Sequence, residues 1–151
     1  MQPKPKTVLP PLWAVVLLLI SIGLGRYLPI LEVVSPPFSR FGFLSIGLGT
    51  ALNFWAFVLF CNHRTTIKPY KEPSTLMTTG IFGITRNPIY LGVVLILLGV
   101  SIRVGAVTSF ISPLVFFLVC DRRFIPLEEG IMERVFGKAY IEYKEKVRRW
   151  I

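Results

Sequence analysis

The sequence predicts an all-α, polytopic membrane protein with about four transmembrane or hairpin helices and a cytoplasmic, amphipathic, helical C-terminal tail. Three observations support this fold class. Apolar residues make up 53% of the 151 residues and fall in long runs. Charged residues cluster between these runs, and the formal net charge is +9. The length allows a single domain, residues 1–151.

The first apolar run, residues 12–28, is predicted to be a transmembrane helix, since about 20 apolar residues span the hydrocarbon core. Only Arg26 interrupts it, near its end. Lys4 and Lys6 precede the run, as basic residues precede the apolar part of a secretory signal peptide. No small-residue cleavage site follows, however, and the apolar character continues to Leu28. We therefore expect a membrane helix.

The second run, residues 41–61, is predicted to be a second transmembrane helix. It contains Gly42, Gly47 and Gly49, and small residues of this kind let helices approach closely in lipid. Asn53 lies in the middle of the run, where a polar side chain most often bonds to a neighbouring helix.

Residues 62–87 form a polar stretch that we expect to be a cytoplasmic loop. Pro69 and Pro73 exclude a continuous helix. A loop of this length inside a compact domain usually has a function or is disordered. Leu76 and Met77 are side chains that can pack, which favours an ordered, functional loop.

Residues 88–120 are predicted to form a helical hairpin. Its two apolar runs, residues 89–102 and 106–119, each cover only about 21 Å, so the sequence leaves open whether the hairpin spans the bilayer. Either way, the chain returns to the side that it left. The hairpin therefore places the loop before it beside the tail, residues 121–151, in which Gly137 is expected to separate two short amphipathic helices.

The basic residues predict the orientation. With the N-terminus inside, 14 of the 17 lysine and arginine residues lie in the cytoplasm, and only Arg26, Arg40 and Arg103 lie outside. This is a strong positive-inside signal, and it places both termini and the loop on the cytoplasmic side. A basic chain can also bind nucleic acid, but here the charges flank apolar runs, which favours anionic membrane lipids as the partner.

The cysteine and histidine content gives no sign of a metal centre or a disulfide. Cys61 and Cys120 are far apart and accompany a single histidine, which does not match any zinc-binding spacing. Both cysteines are expected to face the reducing cytoplasm, where disulfides are rare.

Candidate site residues lie where the loop meets the third helix. Pro88 suits the first position of that helix, whose free N–H groups would favour an anion such as a carboxylate. Arg86 could bind the same carboxylate through two hydrogen bonds, and Tyr90 lies one helical turn further on. Taken alone, Arg86 could equally be a headgroup anchor, and Tyr90 an interfacial aromatic.

Glu128 and Glu129 follow the hairpin at the membrane boundary. A carboxylate there could accept a hydrogen bond from an ammonium or hydroxyl group, or act as a base if its pKa is raised. Both could also simply pair with nearby arginines.

Together these segments resemble a known family. The segment GIFGITRNPIY, residues 80–90, is similar to the Gly-x-Phe/Tyr-x-x-x-Arg-His-Pro-x-Tyr motif of the isoprenylcysteine carboxyl methyltransferase and phospholipid methyltransferase superfamily. The segment LEEGIMERVFGKAYIEYKEKVRRWI, residues 127–151, is similar to its Glu-Glu-x-x-Leu-x-x-x-Phe-Gly-x-x-Tyr-x-x-Tyr-x-x-x-Val-x-Arg-Trp tail, with Met132 in place of Leu. Either motif alone is a weak signal, whereas both in this order around a short hairpin are specific.

The resemblance implies an integral membrane methyltransferase that uses S-adenosylmethionine, bound in a cytoplasmic pocket between these two segments. The acceptor would be a carboxylate, thiol or amine of a lipid-linked or small molecule that enters from the membrane. The implied catalytic residues are Arg86 and Glu129. The implied cofactor-binding residues are Gly80, Arg86, Asn87, Tyr90, Glu128, Glu129 and Tyr140. A looser upstream pattern includes His63, Thr66 and Pro69.

The chain departs from the family pattern in two ways. Asn87 stands where many relatives carry histidine, and an amide cannot titrate, so an amine acceptor would need Glu129 as its base. Only two helices precede the motif loop, so we expect a lipid-side pocket that is either smaller than in larger relatives or completed by a second copy of the chain. Two other functions remain open: a membrane reductase related to sterol reductases, and a non-catalytic membrane scaffold.

Overall fold

The computed structural model describes residues 10–62 and 74–151, and these residues form α-helices and no β-strand. The prediction of an all-α fold is confirmed for this part of the chain. His63, Thr66 and Pro69 lie outside the described residues. Three 3₁₀ turns occur, at Phe38–Arg40, Gly80–Gly83 and Val107–Phe110. The six α-helices are α1 (Pro10–Tyr27), α2 (Phe41–Asn62), α3 (Pro88–Val104), α4 (Ile111–Val119), α5 (Ile125–Phe136) and α6 (Lys138–Lys146).

Two of the described helices are long and apolar enough to cross a membrane: α1, and α2 together with the 3₁₀ turn before it. Only 17% and 11% of these two segments is buried inside the protein, so their apolar side chains face outward, as lipid-facing helices require. The third apolar helix, α3, has 17 residues and extends roughly 25 Å. Of the four predicted membrane segments, the described residues therefore include two with the length of a full span.

The helix α3 is central in the fold, with α1 and α4 on one side and α2 on the other. On the first side, Leu17, Leu97 and Phe116 are almost fully buried and form an apolar core. On the second side, glycines of α2 and α3 face each other. A Cβ atom on Gly99 would lie 2.6 Å from the carbonyl oxygen of Gly42, so only glycine permits this backbone approach.

Polar groups join the end of α1 to the turn of the hairpin, a region that we call the hairpin-turn end. The hydroxyls of Ser21 and Ser101 lie 3.2 Å apart, and Ser101 donates to the carbonyl of Ser109 at 2.8 Å. Gly105 ends α3 with a φ of +81°, and its carbonyl accepts from the N–H of Val33 at 2.9 Å. The loop after α1 is thereby fixed to the hairpin turn.

Helical structure continues across the predicted boundary between the hairpin and the tail at residue 121. A π-helical segment, Cys120–Phe124, joins α4 directly to α5. Pro126 explains this segment, because proline cannot donate to a carbonyl one turn back and its ring crowds that turn, and a π turn relieves both problems. The predicted break at Gly137 is confirmed, since α5 ends at Phe136 and α6 begins at Lys138.

Candidate functional site

A cleft of about 80 Å³ lies between the start of α3 and the helices α5 and α6. It is at the end of α3 opposite the hairpin-turn end. Its lining combines apolar side chains with one arginine, one amide and two carboxylates. The lining residues are Phe60, Thr75, Met77, Phe82, Arg86, Asn87, Glu128, Glu129, Met132, Tyr140 and Tyr143.

The loop before α3 is fixed by local packing. Gly80 adopts a φ of +60°, which starts the 3₁₀ turn, and Ile81 and Phe82 are buried next to Ala56 of α2. The hydroxyl of Tyr143 donates to the carbonyl of Phe82 at 2.6 Å, which ties the same loop to α6. The loop therefore arrives at α3 in a defined position.

Arg86 reaches from this loop to Glu129 of α5, with 3.2 Å between Nη2 and Oε1. Both side chains are only 10% exposed. The Nε and Nη1 atoms of Arg86 are buried and have no hydrogen-bond partner among the described residues. Buried donors without partners are costly, and two adjacent guanidinium donors match the two oxygens of a carboxylate. Arg86 thus offers a place for an anionic ligand.

Glu129 is held from its other side by Arg149. The Nη2 atom of Arg149 lies 2.8 Å from Oε2 of Glu129, and its Nε lies 3.3 Å from Oε1. The Nη1 atom of Arg149 donates to Oδ1 of Asp121 at 3.1 Å. The hydrogen bond to Glu129 is the main reason that the pKa of Arg149 is raised. Glu129 therefore lies between two arginines, with both of its oxygens occupied.

Asp121 completes this charged network. Its Oδ1 also accepts from Nε1 of Trp150 at 3.0 Å. That bond is the main cause of a lowered pKa for Asp121, to which the neighbouring Arg149 also contributes. Trp150 packs on Phe117, with 4.6 Å between ring centroids. The end of the chain is thereby attached to the α4–α5 helix by both charge and apolar contact.

Glu128 has a different environment. Its Oε1 accepts from the hydroxyl of Tyr90 at 2.7 Å, and among the described residues it forms no salt bridge. Burial raises the pKa of Glu128 to about 7, although the hydrogen bond from Tyr90 lowers it. The two adjacent glutamates therefore differ in their chemistry. Glu129 is paired with cations, whereas Glu128 can take up or release a proton near neutral pH.

Residues 147–151 follow α6 without regular secondary structure, and we call them the C-terminal segment. The N–H of Arg86 donates to the carbonyl of Arg148 at 3.1 Å. The carbonyl of Arg149 accepts from Oγ1 of Thr85 at 3.2 Å and from Nδ2 of Asn87 at 3.0 Å. Three consecutive loop residues are therefore bonded to the C-terminal segment.

The predicted site residues fall into three groups. Arg86, Asn87, Glu128, Glu129 and Tyr140 line the cleft together. The second group is Tyr90 alone, which is buried behind the lining and reaches it through its bond to Glu128. Gly80 forms the third group and lies away from the cleft, against Leu59 and Trp55 of α2.

Tyr140 is 3% exposed, and burial next to the charge of Glu129 raises its pKa to about 12. Its phenol is therefore a hydrogen-bonding group and not an anion at neutral pH.

Sequence analysis missed Asp121, Arg149 and Trp150. A signal was present, because Arg149 and Trp150 are the last two positions of the tail motif. Their position near the end of a basic tail favoured an interpretation as headgroup anchors, and the structure instead places Arg149 in the charged network.

Comparison with known proteins gives a matching family. The family model described as phospholipid methyltransferase matches residues 38–139, more than half of the chain. The matched range includes α2, the motif loop, the hairpin and α5.

Two named relatives are enzymes. Protein-S-isoprenylcysteine O-methyltransferase B of Arabidopsis thaliana is 31% identical over 114 residues, which cover 72% of this chain and 56% of that protein. Protein-S-isoprenylcysteine O-methyltransferase of Schizosaccharomyces pombe is 36% identical over 75 residues, 48% of this chain and 30% of that protein. The chain thus spans about half or less of the length of these enzymes.

A third relative has almost its whole length matched. An uncharacterized protein of Haemophilus influenzae is 39% identical over 62 residues, which cover 41% of this chain and 98% of that protein.

Proposed function

This chain belongs to the phospholipid methyltransferase family, and we propose from that membership that it is an integral membrane methyltransferase that uses S-adenosylmethionine. The observation that carries the proposal is the pair of unpartnered, buried donors of Arg86 in the cleft formed by the two family motifs. These donors suit the carboxylate in the methionine part of the cofactor.

The start of α3 supports the same assignment. Its first residue is Pro88, and this start of the helix is the positive end of the helix dipole. An anion bound to Arg86 would be next to this helix end. Glu128 and Tyr140, on the facing helices, offer a hydrogen-bond acceptor and a hydroxyl for the amino or ribose groups of the cofactor.

The size of the cleft sets a condition on binding. Small-molecule sites usually have roughly 300–1,000 Å³, whereas this cleft has about 80 Å³. A nucleoside cofactor would therefore require the cleft to widen. Met132 and Phe60 line it from α5 and α2, and changes in their rotamers would enlarge it without breaking the charged network.

The bound cofactor would supply an electrophilic methyl group on a sulfonium. The protein's part is to orient the acceptor, exclude water and, for an amine or thiol, accept a proton. For that proton the geometry favours Glu128 over Glu129, the base expected from the sequence. Both oxygens of Glu129 are held by arginines, whereas Glu128 bonds only to a neutral hydroxyl among the partners described.

The proposed acceptor is a carboxylate, thiol or amine of a small or lipid-linked molecule. The apolar lining from Phe60, Met77 and Met132 suits an acceptor with a hydrocarbon part. We also propose that the cleft and both termini face the cytoplasm. Arg26, Arg40 and Arg103 lie at or near the hairpin-turn end, while Arg149 of the C-terminal segment bonds to Glu129 of the cleft at the opposite end.

The test is calorimetric titration of S-adenosylhomocysteine into detergent-purified protein. We expect binding by the wild type and a loss of affinity of tenfold or more in Arg86→Met, because the two free donors are removed. Arg103→Met is the matched control, since Arg103 lies at the other end of α3 and bonds to Ser39. Its affinity is expected to stay within about twofold of the wild type.

The outcomes separate the candidate functions. If folded wild-type protein bound neither S-adenosylhomocysteine nor a nicotinamide nucleotide, the non-catalytic membrane scaffold would be the remaining candidate function. Binding of a nicotinamide nucleotide in place of S-adenosylhomocysteine would establish the reductase. Equal losses in Arg86→Met and Arg103→Met would show that the cleft is not the cofactor site.

A further inference from the structure

We propose that Arg149 is a positioning residue that keeps Arg86 available to a carboxylate ligand. This inference rests on the proposed function, because it assumes that a carboxylate-bearing cofactor binds at Arg86. It concerns a residue of the C-terminal segment that does not line the cleft itself.

Arg149 and Arg86 share the carboxylate of Glu129 unequally. Arg149 binds both carboxylate oxygens of Glu129, at 2.8 Å and 3.3 Å, whereas Arg86 binds one oxygen through one nitrogen, at 3.2 Å. A guanidinium and a carboxylate prefer two parallel hydrogen bonds. Arg149 takes that preferred geometry, and Arg86 is left with Nε and Nη1 unpartnered.

Removal of Arg149 would change this balance. Glu129 would lose its two-bond partner, and Arg86 would be the nearest remaining cation. The carboxylate of Glu129 would then turn to form two bonds with Arg86 and occupy a donor that is now free. The net charge of Arg86, Glu129 and Arg149 would also fall from +1 to zero, which weakens the attraction for an anion.

The surroundings of Arg149 fit a positioning role. Its backbone carbonyl accepts from Thr85 and Asn87, on either side of Arg86, and its side chain extends to Glu129 and Asp121 on the facing helix. One residue therefore fixes the backbone next to Arg86 and the carboxylate that Arg86 contacts. Among the described residues, Arg148 makes only the backbone contact, and its side chain is exposed.

The experiment compares two ligands that differ only in the carboxylate: S-adenosylhomocysteine and decarboxylated S-adenosylhomocysteine. Each is titrated calorimetrically into the wild type, Arg149→Met, Arg149→Lys and the control Arg148→Met. We expect the wild type to prefer S-adenosylhomocysteine by tenfold or more. In Arg149→Met, affinity for S-adenosylhomocysteine should fall about tenfold, while affinity for the decarboxylated ligand stays within about twofold.

Arg149→Lys should lose affinity for S-adenosylhomocysteine by about threefold, because an ammonium keeps the charge but cannot form the two-bond geometry. Arg148→Met should match the wild type with both ligands. If Arg149→Met does not fold, the ratio of the affinities of Arg149→Lys for S-adenosylhomocysteine and for the decarboxylated ligand decides whether Arg149 has the proposed role.

Two results would overturn the inference while leaving the proposed function intact: equal loss of both ligands in the Arg149 variants, or a wild type that binds both ligands equally. Failure of the wild type to bind S-adenosylhomocysteine would instead remove the proposed function.

Discussion

The α2–α3 interface and the cleft both lie along α3, but different groups form them: glycine backbone forms the interface, and charged side chains join the elements of the cleft. The α2–α3 interface brings backbone against backbone at Gly42 and Gly99 and contains no charged pair among the described residues. The cleft joins its elements through Arg86, Glu129 and Arg149 and leaves donors unpartnered.

The two regions therefore have different roles: the α2–α3 interface supports the fold, whereas the cleft is the candidate functional site. Close backbone packing depends on shape and fixes the position of α3. A buried charged network depends on every member having a partner, and it is costly when one is missing. Arg86 lies in the loop just before α3, and its unpartnered donors therefore mark the start of this helix as the place where we expect a ligand.

The largest expected effect tests the charged side of this comparison. Glu129→Gln removes the negative charge between two arginines, and breaking a buried pair typically costs about 3–5 kcal/mol of unfolding free energy. Thermal melting in detergent measures this loss of stability. Glu145→Gln is the control, because Glu145 is exposed and forms no salt bridge among the described residues. If the two variants melted alike, the network would contribute nothing to stability.

The next effect tests the packed side. Gly49→Val places a side chain within about 3 Å of Ile96 on α3, and such overpacking costs about 1–3 kcal/mol. We expect the melting temperature to fall by roughly 3–10 °C. Gly47→Val is the matched control in the same helix, since a Cβ there meets nothing within 4 Å. Equal melting of the two variants would refute the close α2–α3 contact.

A smaller effect concerns pH. The folded pKa of Glu128 is about 7, above its ordinary value of 4.5, so the folded protein holds this proton more tightly than the unfolded chain. The stabilisation is fully present below pH 4.5 and is lost as pH rises to about 7. Glu128→Gln should therefore remove part of the fall in melting temperature between pH 5 and pH 8. Identical pH profiles would place the carboxyl of Glu128 in contact with water.

The smallest effect comes from Tyr90→Phe. The hydrogen bond from Tyr90 lowers the pKa of Glu128, so its loss should raise that pKa further. The same melting series would show the midpoint moving to higher pH. A midpoint that moves to lower pH would mean that Tyr90 bonds to the protonated form of Glu128.

The sequence predicted the helices well where apolar runs are long. The helices α1 and α2 begin and end within two residues of the runs at 12–28 and 41–61. Charged residues at 121–123 end the apolar run without ending the helix, so the sequence did not show that α4 continues into α5. Hydrophobicity reports where a helix leaves lipid, and not where its hydrogen bonds stop.

Prediction of the site followed the same logic. The two motifs predicted Arg86, Glu128 and Glu129 as site residues, and the structure brings these three side chains into one cleft, as the hairpin led us to expect. The partner relations could not be predicted, because the spacing of residues does not show which glutamate faces an arginine and which faces Tyr90. Arg149 was missed because its role depends on where the chain end folds back.

The π segment at Cys120–Phe124 sets the rotational phase of everything that follows it. A π-helical segment holds about one residue more per turn than an α-helix, which turns by about 100° per residue, so the same residues wound as an α-helix would carry α5 past its present rotation. Glu129 would then turn away from Arg86, and Glu128 away from Tyr90. The extra residue held between 119 and 125 therefore sets the direction in which both glutamates face: a one-residue deletion there is expected to be absorbed by a return to α-helical winding, whereas a one-residue insertion would misalign the cleft while leaving every one of its lining residues in the chain.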